Sequence, residues 1–272
     1  MSLTNATKCK AIFLGTGTSD GVPLINCNCK VCRSHSVKDK RLRSSIMLFV
    51  RGKSILIDAS MDLRLQLLRL SKTLKIPQIQ IDALLLTHPH FDHFFGLSEI
   101  RPLTKVNQLK IYCCSDTASQ IKKKFDYFFD ENIQKGGGIP QVLLNCIDSS
   151  PFYIEDILIT PLPLFHGKLP IFGYRIGDLA YITDASFIPD ETIKKIMGVN
   201  TLVINGLRET PHPTHYCIQE AIDVAKKVRA KKTFFTHIAH NHTYKEYNKI
   251  VKKLGGRGMI SAYDELEFDF SV

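Results

Sequence analysis

The segment Thr87-His88-Pro89-His90-Phe91-Asp92-His93 sets three imidazoles and a carboxylate side by side, directly after the apolar run Ala83–Leu86. Imidazole and carboxylate are the side chains that bind Zn²⁺, Mn²⁺ or Fe²⁺. His88 and His90 stand two apart, so an extended backbone points both rings the same way. Asp92 and His93 then turn away and can serve a second ion. One short loop can therefore nucleate a two-metal site, an arrangement that generates hydroxide at neutral pH. Scattered surface histidines would not be expected to follow a His-x-His-x-Asp-His order at the end of an apolar strand.

A two-metal site needs more donors than one loop supplies. Three further apolar runs end on one: Pro161-Leu162-Pro163-Leu164-Phe165 on His166, Leu179-Ala180-Tyr181-Ile182-Thr183 on Asp184, and Thr233-Phe234-Phe235-Thr236 on His237. Taken singly, a His or Asp at a strand end is more often a capping or hydrogen-bonding group. Together, after the first motif, they make a ligand set, because loops at one edge of a sheet are where such proteins carry function. The two carboxylate oxygens of Asp184 suit a bridge between ions about 3.5–4 Å apart.

A separate group, Cys27-x-Cys29-x-x-Cys32, offers three thiolates in one loop. Three thiolates and one imidazole make a closed structural zinc set. The other cysteines, Cys9, Cys113, Cys114, Cys146 and Cys217, lack ligand spacing and are expected to be small buried residues in a reducing compartment.

These donors need elements to position them. Strands are expected at Lys10–Leu14, Ile46–Val50, Ser54–Ile57, Ala83–Leu86, Leu109–Cys113, Gln141–Ile147, Tyr153–Thr160, Phe172–Ile176, Leu179–Thr183, Thr201–Asn205, Thr233–Thr236 and near Glu267. Helices are expected at Met61–Lys72, Thr117–Phe129, Pro189–Met197, Cys217–Arg229 and Tyr244–Leu254. The glycine-rich turn Gly15–Gly21 lacks the GxGxxG spacing of a nucleotide fingerprint and reads as a close backbone approach. Gly136-Gly137-Gly138 reads as a flexible loop that could flank a site. Each half of the chain runs from hairpin strands into strand–helix alternation, which fits one four-layer α/β unit spanning residues 1–272.

With 44% hydrophobic and 23% charged residues among 272, the composition is that of a globular protein. No apolar run reaches the ~18 residues of a membrane span, and Met1 to Lys10 lacks an apolar signal core, so a cytoplasmic location is expected. The formal charge of +10 is concentrated in Lys38–Arg43, Lys122–Lys124 and Lys226–Lys232. It favours an anionic substrate only weakly, since each cluster is better explained as solvated lysines on helix faces.

The order His88, His90, Asp92, His93, then His166, Asp184 and His237, resembles the metallo-β-lactamase-fold hydrolases over nearly the whole chain. Within them the sequence resembles the phosphodiesterases that act on 5-phosphoribosyl 1,2-cyclic phosphate in carbon–phosphorus lyase pathways. That closer likeness lies in the passages Gly21–Cys32, Pro161–Leu169 and Thr236–His240. The resemblance implies an αββα sandwich. It implies one ion on His88, His90, His166 and Asp184, and another on Asp92, His93, Asp184 and His237, the metal being Mn²⁺ or Zn²⁺. It implies His240 as the fourth ligand of a structural zinc with Cys27, Cys29 and Cys32, with His35 and His242 as rivals. It also implies attack of metal-bound hydroxide on phosphorus, with Asp92 in the catalytic set and His215, rather than His212, as general acid.

Asp58 is expected either to orient a ligand imidazole or to cap the following helix. Lys168 and Arg208 are candidate phosphate contacts. A small phosphodiester is the expected partner, with nucleic acid less favoured, no membrane, and a homodimer implied by resemblance only. The alternatives are a tRNA 3′-processing endonuclease of the same fold, for which Lys122–Gly138 is a small candidate arm, and a thioester or lactone hydrolase. A zinc-stabilised binding protein is disfavoured because all seven expected ligands are present.

Overall fold

A computed structural model describes residues 8–105, 107–130, 132 and 138–272. Gly136 and Gly137 of the expected loop lie outside the described residues, as does part of the candidate arm.

The chain opens with β1 (Lys8–Gly15), β2 (Ser45–Val50) and β3 (Lys53–Ile57), followed by α1 (Leu63–Leu74), β4 (Ala83–Leu85), α2 (Phe91–Phe94), β5 (Leu109–Cys113), α3 (Ser115–Lys124) and β6 (Val142–Cys146). The second half has β7 (Phe152–Ile154), β8 (Ile157–His166), β9 (Leu169–Ile176), β10 (Leu179–Tyr181), α4 (Asp190–Ile196), β11 (Thr201–Asn205), α5 (Ile218–Val228), β12 (Lys232–Thr236), α6 (Tyr244–Gly255), β13 (Met259–Ser261) and β14 (Glu267–Ser271). Two seven-stranded sheets result, in the orders β14-β1-β2-β3-β4-β5-β6 and β13-β12-β11-β10-β9-β8-β7. In each, antiparallel strands give way to parallel ones, at β3–β4 in the first and β10–β11 in the second.

Three apolar layers follow from the alternation of the strands. Ile46, Leu48, Ile55, Leu85, Ile157, Ile176 and Val203 fill the space between the sheets. Leu63, Leu70, Phe94 and Ile121 pack helices on the outer face of the first sheet, and Ile196, Ile222, Tyr247 and Val251 do so on the second. This is the four-layer αββα arrangement expected from the sequence.

Several elements differ from expectation. The expected strand Tyr153–Thr160 is two strands, β7 and β8, broken at Glu155, which takes a left-handed φ of 52°. β8 runs on through Pro161 and Pro163 to His166, paired residue by residue with β9. Prolines are tolerated there because β7 pairs only with Ile157–Ile159. Beyond that point the outer side of β8 is largely an edge that asks for no ladder N–H. The expected helix Thr117–Phe129 stops at Lys124, and a separate turn follows. The four-residue segment Phe91–Phe94 forms a single helical turn, which buries Asp92 and His93.

Two readings of composition are corrected. Cys9, Cys113 and Cys217 are buried, but Cys114 is half-buried and Cys146 is exposed on the edge strand β6. The cluster Lys38–Arg43 does not lie on a solvated helix face. Lys38 sits over the rings of Tyr244 and Tyr263, and Arg41 is among the most buried side chains in the protein. No helix among the described residues is long and apolar enough to cross a membrane.

Candidate metal centre and its surroundings

Parallel strands end together, so their following loops meet on one edge. His88 follows β4, Asp184 follows β10 and His237 follows β12, while His166 closes β8 and Asp92 and His93 lie in α2. Asp58, Asp184 and His237 each adopt a left-handed φ, of 61°, 58° and 53°. Asp and His tolerate that region better than most residues, and such strain collects at functional sites.

Three of the rings are held by a partner on the far nitrogen. Asp58 Oδ2 lies 2.8 Å from His93 Nδ1. The same carboxylate accepts from the Thr87 N–H at 2.9 Å and from the Thr87 hydroxyl. His166 Nδ1 donates to the carbonyls of Asp184 and Thr214, at 2.9 and 2.7 Å. Ser44 donates its hydroxyl proton to the Gly17 carbonyl, so it accepts from His237 Nδ1 at 3.3 Å. The inward nitrogens of His93, His166 and His237 are thereby left to a cation. Asp58 does not cap α1, whose N-cap is Asp62.

The inward atoms converge. His93 Nε2 stands 3.2 Å from Asp92 Oδ2 and 3.3 Å from Asp184 Oδ2, and His237 Nε2 is 3.1 Å from Asp184 Oδ1. His88 Nε2 and His90 Nδ1 face each other at 3.0 Å, and the rings of His90 and His166 are 5.1 Å apart. Ligand atoms of His88, His93 and Asp184 lie within reach of one ion, as do those of Asp92, His93 and His237. His215 joins this ring of donors, with Nε2 3.0 Å from Asp184 Oδ1 and ligand-range proximity to His166. The seven expected ligands and His215 thus lie in one region, but the donor groups that close on one another set His88 with His93 and Asp184, and His166 with Asp184 and His215, and do not include His90.

The electrostatics suit divalent ions. Burial drives the His88 ring well below the usual histidine range, and brings His237 to about 4, which favours the neutral form of imidazole that a metal needs. Burial would raise Asp184 and Asp92, but the surrounding imidazoles, His237 and His93 foremost, hold both well below the usual carboxylate range. Burial would likewise lower His93, but Asp92, Asp184 and Asp58 hold it well above its ordinary value. Three carboxylates thus call for positive charge at a spot where buried His93 Nε2 has no well-formed hydrogen bond. Bound divalent metal meets both demands, so the residues fit the implied group. His90 is exposed, which leaves one side of the centre open.

The cysteine loop forms a second cluster. Cys27, Cys29 and Cys32 place Sγ at 3.4, 3.4 and 3.5 Å from His240 Nδ1. A tetrahedral ion with Zn–S of ~2.3 Å and Zn–N of ~2.0–2.1 Å requires an S···N edge of roughly 3.5 Å. The Cys32 N–H lowers the Cys29 thiol to about 6, toward the thiolate a metal needs. The rivals are elsewhere: His35 is exposed, and His242 Nε2 pairs with Glu209 at 2.9 Å.

Close backbone approach explains the glycine-rich turn. Gly17 bridges both Arg43 and Ile238, the residue after His237, and a Cβ there would lie 2.9 Å from the Arg41 carbonyl. Lys168 is exposed at the β8–β9 turn, and Arg208 has a buried Nε without a partner. A cavity of about 1260 Å³ lies away from the donors, lined by Leu67, Ile79, Arg101 and Leu143 among others. The site is defined by its donors and not by that hollow. Sequence reasoning missed Ser44, Thr87 and Thr214, single hydroxyl residues with no spacing to mark them.

Fold and donor set together define a metal-dependent hydrolase. The chain belongs to the beta-lactamase superfamily, whose domain matches residues 53–238. A solved structure described as a new diphosphatase from the PhnP family superposes with a TM-score of 0.88, covering 98% of each chain at 35% identity. Octanoyltransferase of Porphyromonas gingivalis is 37% identical over 234 residues, which are 85% of this chain but 46% of that protein. The chain therefore spans less than half the length of that relative. Coenzyme PQQ synthesis protein B of Methylobacterium nodulans is 35% identical over 221 residues, 72% of each.

Proposed function

We propose that the chain is a dinuclear metal-dependent phosphodiesterase that hydrolyses a small cyclic phosphodiester such as 5-phosphoribosyl 1,2-cyclic phosphate. The observation that carries this reading is His215 placed 3.0 Å from Asp184, at the edge of a centre built from imidazoles and carboxylates. The likeness over its whole length to a PhnP-family diphosphatase supports hydrolysis at phosphorus.

In this reading His88, His90, His166 and Asp184 would hold one ion, and Asp92, His93, His237 and Asp184 the other. Such a pair supplies Lewis acidity toward phosphoryl oxygens and brings the pKa of a nearby water toward neutrality. The chain's own residues then do the positioning. Asp58, Ser44 and the carbonyls of Asp184 and Thr214 fix the ring orientations. The unpartnered Arg208 Nε and the exposed Lys168 offer contacts to the rest of the phosphate-bearing substrate. His215 holds a proton at Nε2 for the leaving oxygen. The Cys27, Cys29, Cys32 and His240 cluster would hold a structural zinc, tying the N-terminal loop to the His237 turn.

A second reading, hydrolysis of a diphosphate linkage, is favoured by the name of the 35% identical neighbour. The deciding measurement is the rate on 5-phosphoribosyl 1,2-cyclic phosphate beside a nucleoside diphosphate sugar, with added Mn²⁺ and with chelator. Fast, chelator-sensitive opening of the cyclic ester is expected. Turnover of the diphosphate alone would replace the first reading with the second, and cleavage of a tRNA 3′ trailer alone would overturn both.

A further inference from the structure

His212 is outside the set of candidate ligands, yet it touches the residue assigned to the leaving group. Its Nδ1 lies 3.1 Å from Nδ1 of His215, with the rings 4.9 Å apart. The Thr214 hydroxyl spans the same gap, 3.2 Å from His212 Nδ1 and 3.0 Å from His215 Nδ1. The backbone N–H of Thr214 donates to His212 Nδ1 at 3.3 Å. A ring nitrogen that accepts an N–H carries no proton, so His212 Nδ1 is an acceptor, and the Nδ1···Nδ1 contact and the shared Thr214 hydroxyl hold the two rings against one another. One face of His215 is therefore pinned to His212, and the other nitrogen, Nε2, is turned to Asp184 Oδ1.

We propose that His212 is a positioning residue: it fixes the His215 ring with Nδ1 turned out of the centre and Nε2 turned into it, where a leaving oxygen would be met. This rests on the reading of His215 given above. His212 itself is half-buried at the rim, so its replacement opens no hole in the core. A brace for the Pro211–Thr214 turn is the competing role, since the Thr214 N–H bond alone would serve it.

The roles separate in the metal-loaded enzyme. His212→Ala is expected to lower kcat about 10–100-fold on a diester with an alkoxide leaving group, with KM, metal content and Tm nearly unchanged. On bis(p-nitrophenyl) phosphate, whose leaving group departs without a proton, the loss should shrink to a few-fold. His212→Asn puts an amide oxygen where Nδ1 stood and should recover most of the rate, whereas His212→Gln should not. In a His215→Ala background, His212→Ala should add nothing. Equal losses for both leaving groups, additivity with His215→Ala, or a parallel fall in Tm would overturn the proposal in favour of the brace. If the enzyme cleaves no phosphodiester, the reading of the site fails, and ¹⁵N NMR of the imidazoles still decides the orientation. A changed His215 Nδ1 resonance in His212→Ala supports the proposal, and an unchanged one overturns it.

Discussion

The two donor clusters are neighbours built on opposite principles. The cysteine cluster takes three sulfurs from one short loop and a nitrogen from His240, at edges of 3.4–3.5 Å that would fit a tetrahedral ion. The larger centre draws nitrogen and oxygen donors from the ends of strands in both sheets, and leaves His90 exposed. A closed thiolate set favours stability, and an open set of harder donors leaves room for a substrate. The two are joined through the short turn from His237 to His240. The soft cluster thus belongs to the scaffold of the hard one, because it anchors the turn that presents His237.

Asp184 gives the strongest test of that division. It touches His93, His215 and His237 at 3.0–3.3 Å, so its loss affects every part of the open centre. Asp184→Ala is expected to lower kcat/KM by at least about 10³-fold. Elemental analysis should show loss of metal from the centre, with one zinc kept by the cysteines. Loss of all metal from this variant would break the claim that the cysteine cluster holds its ion without help from the open centre.

Asp58→Ala should act on the same centre more mildly. Removal of an outer partner typically costs about 10–100-fold in metal affinity or activity. Competition with a chelator should detect it, and the cysteine-bound zinc should be untouched. Unaltered affinity would mean that Thr87 alone orients the loop.

How much of this division was legible in the sequence depends on spacing. Donors that share a loop, such as His88 to His93 or Cys27 to Cys32, announce themselves. His166, Asp184 and His237 were legible because each closes an apolar run that becomes a strand. The layers were legible for the same reason, since period-2 runs mark sheets and longer amphipathic ones mark helices. Ser44 and Thr87 were not, because a hydroxyl that orients a ring has no partner nearby in the sequence to mark it. Arg41 was misread for a related cause. A run of cations looks solvated until the fold buries one of its members, and Arg41 is only 1% exposed.

That buried arginine separates what metal does for the joint from what the chain does unaided. Its guanidinium donates to the carbonyls of Ala239 and His242, at 3.1 and 3.0 Å, on either side of His240. Its backbone pairs with Val22, at the start of the cysteine loop, through bonds of 2.8 and 2.9 Å. Arg41 thus bridges the same two segments as the proposed zinc cluster, without a metal. Hydrogen bonds to a charged group contribute about 1.5–3 kcal/mol each, less the cost of burying the guanidinium, which burial alone already pulls below its usual pKa. Arg41→Met should therefore lower Tm by several degrees, at about 2–4 °C per kcal/mol for a chain near this size. Cys29→Ser should lower both Tm and zinc content by more, while the remaining folded protein keeps most of its turnover. The effect of Arg41→Met should be larger in Cys29→Ser protein than in the parent, because one bridge then carries the joint alone. Strict additivity of the two substitutions would show that the bridges act on different structures and that the joint between the clusters is not shared.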